Sequence, residues 1–181
     1  MKEGYGVYNK EDILEKSDDR EFILNAVKEE PWVYEFASNE LHDDDEVTYE
    51  AIKKDGIMLE FASDRLKDNK RIVLEAVKKN GWVACYASER LLNDKEILLA
   101  GCKVDGQILY YASEALRDDK DVVLEAVKNK GIILKYASRR LREDKDIALA
   151  AVTQNKKAFE YVYDTIKNDA DIQNIVNPPE N

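Results

Sequence analysis

The chain has 181 residues, a formal net charge of −10, 36% charged and 44% hydrophobic residues, and only one His and two Cys. One His and two Cys are too few soft ligands for a zinc site of the usual kind and argue against a His-based catalytic centre, so neither a metal nor another cofactor is expected. No apolar run approaches the roughly 18 residues of a membrane span, and the start Met1-Lys2-Glu3-Gly4-Tyr5 lacks the apolar stretch of a signal peptide, so the expectation is a cytoplasmic chain with reduced thiols and no membrane partner.

In chain order, residues 1–18 read as an irregular start followed by a capping helix opened by Asn9, with Asp12 three residues on. A repeat then governs residues 19–168. Tyr/Phe-Ala-Ser occurs as Phe36-Ala37-Ser38, Phe61-Ala62-Ser63, Tyr86-Ala87-Ser88, Tyr111-Ala112-Ser113 and Tyr136-Ala137-Ser138, each 25 residues after the last, with a decayed copy at Tyr161-Val162-Tyr163. Ala26, Ala51, Ala76, Gly101, Ala126 and Ala151 keep the same ruler, as do Leu41, Leu66, Leu91, Leu116, Leu141 and Ile166.

Each of the six copies reads as two short helices. The first opens on a capping box or a close relative of it, with Asn93 three residues before Glu96 and Asp118 three before Asp121. Val122, Val123, Ala126 and Val127 then fall at helical spacing. Lys53, Lys78, Lys103 and Lys128 sit near the negative pole of the helix, and Gly56, Gly81, Gly106 and Gly131 follow where a left-handed closing residue is wanted. The second helix carries the aromatic, the Ala and the Leu, and places Ile133, Leu134, Ala137 and Leu141 on one face. The Ser beside the Ala is expected at a tight crossing or bonded to the preceding turn. Residues 169–176 read as a seventh first-helix that closes the stack, and Asn177-Pro178-Pro179 stops it.

Helix pairs this short cannot bury an apolar face alone, so the fold expected is all-α: an α-solenoid of six tandem 25-residue two-helix repeats with a cap at each end, one domain over 1–181. The consensus Asp-Lys-Asp/Glu-Val-Val-Leu-Glu-Ala-Val-Lys-x-x-Gly, followed by Leu-x-Tyr-Ala-Ser-x-x-Leu-x-x-Asp, resembles the repeat family called domain of unknown function 4116. The likeness is best at residues 119–143, good over 69–118, looser in the first two copies and decayed in the sixth. It implies a tandem helical repeat, and no reaction, cofactor or catalytic residue comes with it.

The Asp-x-Asp pairs Asp119/Asp121, Asp144/Asp146 and Asp169/Asp171 have a form that can hold a divalent cation, but they recur at helix starts, where capping explains them. His42 reads as a solvated residue at a helix end, Cys102 as a buried thiol in place of Val, and Cys85 as a more exposed one. Charge is graded along the chain. Residues 1–68 carry nine Lys/Arg against twenty Asp/Glu, a net of −11, whereas residues 69–168 come to +4 and the tail 169–181 to −3.

Two charged surfaces follow as partner candidates. The acidic one comprises Glu35, Glu40, Asp43, Asp44, Asp45, Glu46, Glu50, Glu60 and Asp64, and the basic one Arg117, Lys135, Arg139, Arg140 and Arg142. Residues one before, three after and six after the repeated aromatic, such as Lys135, Arg139 and Arg142, are expected on one face of the second helix. Trp32, Ile57, Trp82 and Ile132 follow the Gly position and form either a satellite core between turns or an apolar recognition ridge. The functional expectation is a non-catalytic scaffold that binds an unidentified protein partner along a charge-graded concave wall. An acidic inhibitor that mimics nucleic acid is the alternative, and direct nucleic-acid binding ranks below both because the overall field repels phosphate. Oligomeric state, curvature and the identity of the partner are left open.

Overall fold

The computed structural model describes residues 6–178, so the irregular start at residues 1–5 and Pro179 of the stop signal lie outside the described residues. Among the described residues every regular element is helical. The chain divides into two compact units, Met1–Leu91 and Leu92–Asn181.

The first unit opens with helix Lys10–Glu15, capped by the Asn9 side chain on the Asp12 N–H as its sequence predicts. Its long helices are Arg20–Glu29, Asp45–Lys54 and Lys70–Lys79. Those of the second unit are Lys95–Val104, Lys120–Asn129 and Lys145–Gln154, and helix Ala170–Val176 closes the series. The caps sit one residue later than the capping-box reading placed them. Asp94 and Asp119, not Asn93 and Asp118, are the N-caps, and each accepts from the N–H groups two and three residues on. That geometry satisfies two of the orphan donors at the helix start with one carboxylate oxygen.

The segment read as a second helix is two pieces. A six-residue 3-10 helix (Gly56–Phe61, Gly81–Tyr86, Gly106–Tyr111 and Gly131–Tyr136) ends at the repeated aromatic. The Ala after it is extended, with ψ near 150–160°, as at Ala62, Ala87, Ala112 and Ala137. The Ser that follows starts a one-turn α-helix (Asp64–Lys67, Glu114–Arg117, Arg139–Arg142) by accepting the N–H of the Leu three residues on. Tyr/Phe-Ala-Ser is therefore a break and a cap rather than the middle of a helix. One consequence is that residues one before and three after the aromatic do not share a helix, so the expected charged face is split. In the last copy Tyr163 replaces the Ser, and no short helix forms over residues 164–167.

The glycines also do something other than predicted. No glycine after a long helix has a positive φ; Gly6 alone among the described residues does. Gly56 begins its 3-10 helix against the next copy, where a Cβ would lie 2.5 Å from the Ala76 carbonyl oxygen. Gly106 faces the Ala126 carbonyl and Gly131 the Ala151 carbonyl in the same way, both closer still. Close approach of two backbones, not handedness, selects Gly there. The fixed Ala contributes from the other side: Ala51, Ala76, Ala126 and Ala151 are fully buried where neighbouring copies meet.

Leu41, Leu66, Leu91, Leu116 and Leu141 are buried along the same ruler, each with the short helix that carries it. Burial of such a side chain stabilises by about 1.5–3 kcal/mol. The buried Thr48 is accommodated by a second exception to the apolar pattern. Its Oγ1 lies 2.5 Å from the Tyr34 hydroxyl, and the Tyr34 hydroxyl also donates to the His42 carbonyl at 3.1 Å. His42 is not a solvated helix end. It is half-buried, its Nε2 is 2.8 Å from the Tyr34 carbonyl oxygen, and its ring stacks on Phe61. No described helix is long and apolar enough to cross a membrane.

Candidate functional site

The Asp-x-Asp pairs and part of the charged surfaces singled out from sequence join one copy to the next. In the first unit Arg20 reaches Asp44 at 2.8 Å and Glu46 at 2.7 Å. In the second, Lys95 reaches Asp119 and Asp121 at 2.8 Å, Lys120 reaches Asp144 at 2.8 Å and Asp146 at 2.9 Å, and Lys145 reaches Asp169 at 2.9 Å and Asp171 at 2.7 Å. The Asp-x-Asp pairs are thus both a helix cap and a fork that holds the cation of the copy before. Burial pushes Asp44, Asp119 and Asp144 up, but the hydrogen bond from the neighbouring cation and those from the helix N–H groups outweigh it and hold all three low.

A second set of contacts uses the signature Ser. The Ser63, Ser88 and Ser138 hydroxyls donate to Asp43, Asp68 and Asp118, twenty residues earlier, while the same oxygens cap their own helices. Arg65, Arg90 and Arg140 then add Nε to the same carboxylates at 2.9, 3.0 and 3.1 Å. The Ser N–H groups complete the clasp by donating to the carbonyls of His42, Lys67 and Arg117 at 2.9, 3.0 and 3.0 Å. The Ser hydroxyl first, and the Arg guanidinium second, hold these three Asp carboxyls below their ordinary range.

The candidate acidic surface is therefore divided. Asp43, Asp44, Asp45 and Glu46 are engaged by Arg20 and Arg65. Glu50 is half-buried and 3.6 Å from Lys53. Glu35, Glu40, Glu60 and Asp64 are exposed. The candidate basic surface is divided too: Arg140 holds Asp118, Arg139 holds Glu143 at 2.9 Å and lies over the Tyr163 ring, and Arg142 donates to the Tyr161 carbonyl at 2.8 Å. Arg117 donates to the Tyr110 carbonyl at 2.6 Å, and Lys135 is exposed with its Nζ 4.7 Å from the Tyr136 ring centre. Trp32, Ile57, Trp82 and Ile132 are all half-buried. Trp32 and Trp82 pack edge-on against Phe36 and Tyr86 within their own 3-10 segments.

The surface that stands out lies in the second unit. Gln107, Tyr110, Tyr111, Lys130, Ile132, Ile133, Lys135 and Tyr136 line a half-open groove of about 440 Å³. Tyr110 is 49% exposed and Tyr111 40%. The Tyr110 ring meets Tyr111 edge-on at 4.9 Å and Tyr136 at 5.0 Å. Lys130 donates to Gln107 at 2.5 Å across the groove. Tyr110 stands one residue before the repeated aromatic, a position expected on the charged face of the second helix. Its signal was present, since the other copies have Glu35, Glu60, Cys85, Lys135 and Glu160 at this position, and only here is there a large aromatic. In the first unit a groove of about 390 Å³ lies among Asp45, Glu46, Tyr49, Asn69 and Arg71, but Asp45 and Glu46 are held by Arg65 and Arg20, and Arg71 by the Tyr49 ring.

Both thiols are free, and burial pushes the Cys102 thiol up to about 12. Among the described residues no group of three or more His, Cys, Asp or Glu is placed to hold a metal ion.

A family model described as a domain of unknown function, DUF4116, matches residues 19–67, 69–117 and 119–171. Each match spans two copies of the 25-residue ruler, so three tandem repeats of about 50 residues cover most of the chain. No curated protein and no solved structure matches it.

Proposed function

The chain belongs to the DUF4116 family, and from that premise we propose that it is a non-catalytic helical-repeat module that binds another protein. In this reading the copies within each unit pack as an α-solenoid, neighbour on neighbour, and the residues common to the copies serve that packing. The observation that carries the reading is the exposed pair Tyr110 and Tyr111, two large aromatics at the surface of a module whose other repeated aromatics are half-buried. Aromatic residues of this kind are enriched at the centres of protein interfaces and supply much of their energy.

The acidic-mimic reading is weaker, because it needs Asp43, Asp44, Asp45 and Glu46 free to stand in for phosphates, and these four carboxylates are engaged by arginines of the same chain. Direct nucleic-acid binding is weaker for the matching reason, with Arg139 and Arg140 paired to Glu143 and Asp118. The experiment is affinity capture of the full chain from its native host with nuclease present, followed by reconstitution of each captured protein from purified components. The reading expects at least one protein to bind directly in the purified system. Capture that vanishes with nuclease, or no direct binding by any purified candidate, contradicts it.

A further inference from the structure

The groove of the second unit has a chemistry of its own. Three tyrosines and two isoleucines line it beside Gln107 and two lysines, so it presents aromatic and apolar surface next to polar and cationic groups. Among the described residues its charged lining is Lys130 and Lys135, with no carboxylate. Both charges are positive and fall in residues 69–168, the stretch of net charge +4 in a chain whose total is −10. Tyr110 is held from behind, its carbonyl accepting from Arg117 and its ring braced edge-on by Tyr111 and Tyr136. A site braced before binding loses less entropy when a ligand arrives. The groove volume, about 440 Å³, lies in the range of about 300–1,000 Å³ found for ligand pockets, but it is half-open, which suits a segment of chain better than an enclosed small molecule.

We infer that the groove formed by Tyr110, Tyr111, Tyr136, Lys130 and Lys135 is the docking site for an acidic peptide segment of the partner, one that places an apolar side chain between the tyrosine rings and carboxylates against the two lysines. The inference rests on the protein-binding reading above and adds where the partner docks and with what chemistry. Complementarity of charge selects the occupant: two lysines next to tyrosine rings attract a carboxylate beside an apolar side chain. A nucleic acid strand brings a phosphate at every nucleotide into a chain of net negative charge, and two lysines neutralise few of them.

The test is selection of phage-displayed random twelve-residue peptides on the full chain, followed by fluorescence titration of the enriched peptides, their Gln-for-Glu/Asp counterparts and a single-stranded oligothymidine of the same length. Tyr110→Ala and the double change Lys130→Glu with Lys135→Glu serve as variants, their folding checked by circular dichroism. The inference expects enrichment of peptides that combine Asp or Glu with aliphatic or aromatic residues. It expects binding weakened about tenfold or more by Tyr110→Ala, by the lysine reversals and by Gln replacement, with no binding of the oligonucleotide. Enrichment of basic or uncharged peptides, no enrichment at all, affinity unchanged in the folded variants, or preference for the oligonucleotide each overturns it. A purified protein partner whose binding ignores Tyr110→Ala would sink this site while leaving the protein-binding reading standing.

Discussion

Gly106 is where one residue decides how close two copies come. A Cβ there meets the Ala126 carbonyl oxygen well inside van der Waals contact, and neither atom belongs to a flexible side chain. Replacement of Gly by Ala restricts the unfolded chain and so favours folding by about 0.4–1 kcal/mol, whereas overpacking costs about 1–3 kcal/mol. Overlap with backbone should win, so Gly106→Ala is expected to lower stability by about 1–2 kcal/mol in urea denaturation; a more stable variant would refute the close-approach account. The Ser–Asp–Arg clasps predict a pH dependence. Asp43, Asp68 and Asp118 are held below their ordinary value of 3.8, so the stability they contribute is present above that value and is lost as pH falls through the lower folded one. The urea midpoint should therefore decline as pH drops below about 4, and Asp118→Asn should make that decline shallower. A variant whose acid profile matches the parent would show that the Asp118 clasp contributes nothing.

At the scale of elements, what could be read from sequence was whatever the 3.6-residue period and the cap residues encode. The long helices, the Asn9-capped helix and the closing helix Ala170–Val176 fall where the apolar spacing puts them. The split of the second helix was not legible, because a 3-10 segment and a one-turn helix joined by an extended Ala-Ser give apolar spacing close to that of one continuous helix. Yet the clasp had left a trace. Arg65, Arg90 and Arg140 occur in the copies that follow Asp43, Asp68 and Asp118, whereas Asn93 is followed by Ala115 and Glu143 by Thr165. That pairing between copies is a contact written at a spacing of 22 residues, which a helix-period search does not see. The candidate groove was hidden for another reason: its residues lie at different points of two neighbouring copies and come together only in the folded chain. One further contact between elements was equally hidden. The Asn129 side chain accepts from the Gly106 N–H at 2.9 Å and donates to the Lys103 and Val104 carbonyls at 3.2 Å, so it satisfies the end of one copy's long helix from the next copy. Gln154 performs the same task on Gly131 and Asn129. Asn129→Ala leaves a buried N–H without its partner and should cost about 1–2 kcal/mol, while Asn129→Gln should keep most of that stability. Equal thermal midpoints for the two variants would contradict the role given to the amide.

For the molecule as a whole, these contacts have one meaning. Cation forks, Ser–Asp–Arg clasps, amide links and glycine contacts all run from one copy to its neighbour, and none of them exists inside a single copy. The ten-residue helix Lys120–Asn129 is below the about 12–15 residues at which an isolated helix becomes even marginal in water. Exposed ion pairs are each worth little, so the buried apolar faces that neighbours share must supply most of the stability, and the polar links set register and spacing. It follows that the copies should not fold singly, while Tyr110 and Tyr111 stay exposed outside the shared faces. The most direct measurement is circular dichroism with thermal melting on a synthetic peptide of residues 119–143, beside the intact chain. The account predicts a peptide that is mostly unfolded and melts without a cooperative transition, against a helical, cooperatively melting parent. A monomeric peptide that is helical and unfolds cooperatively by itself would contradict it.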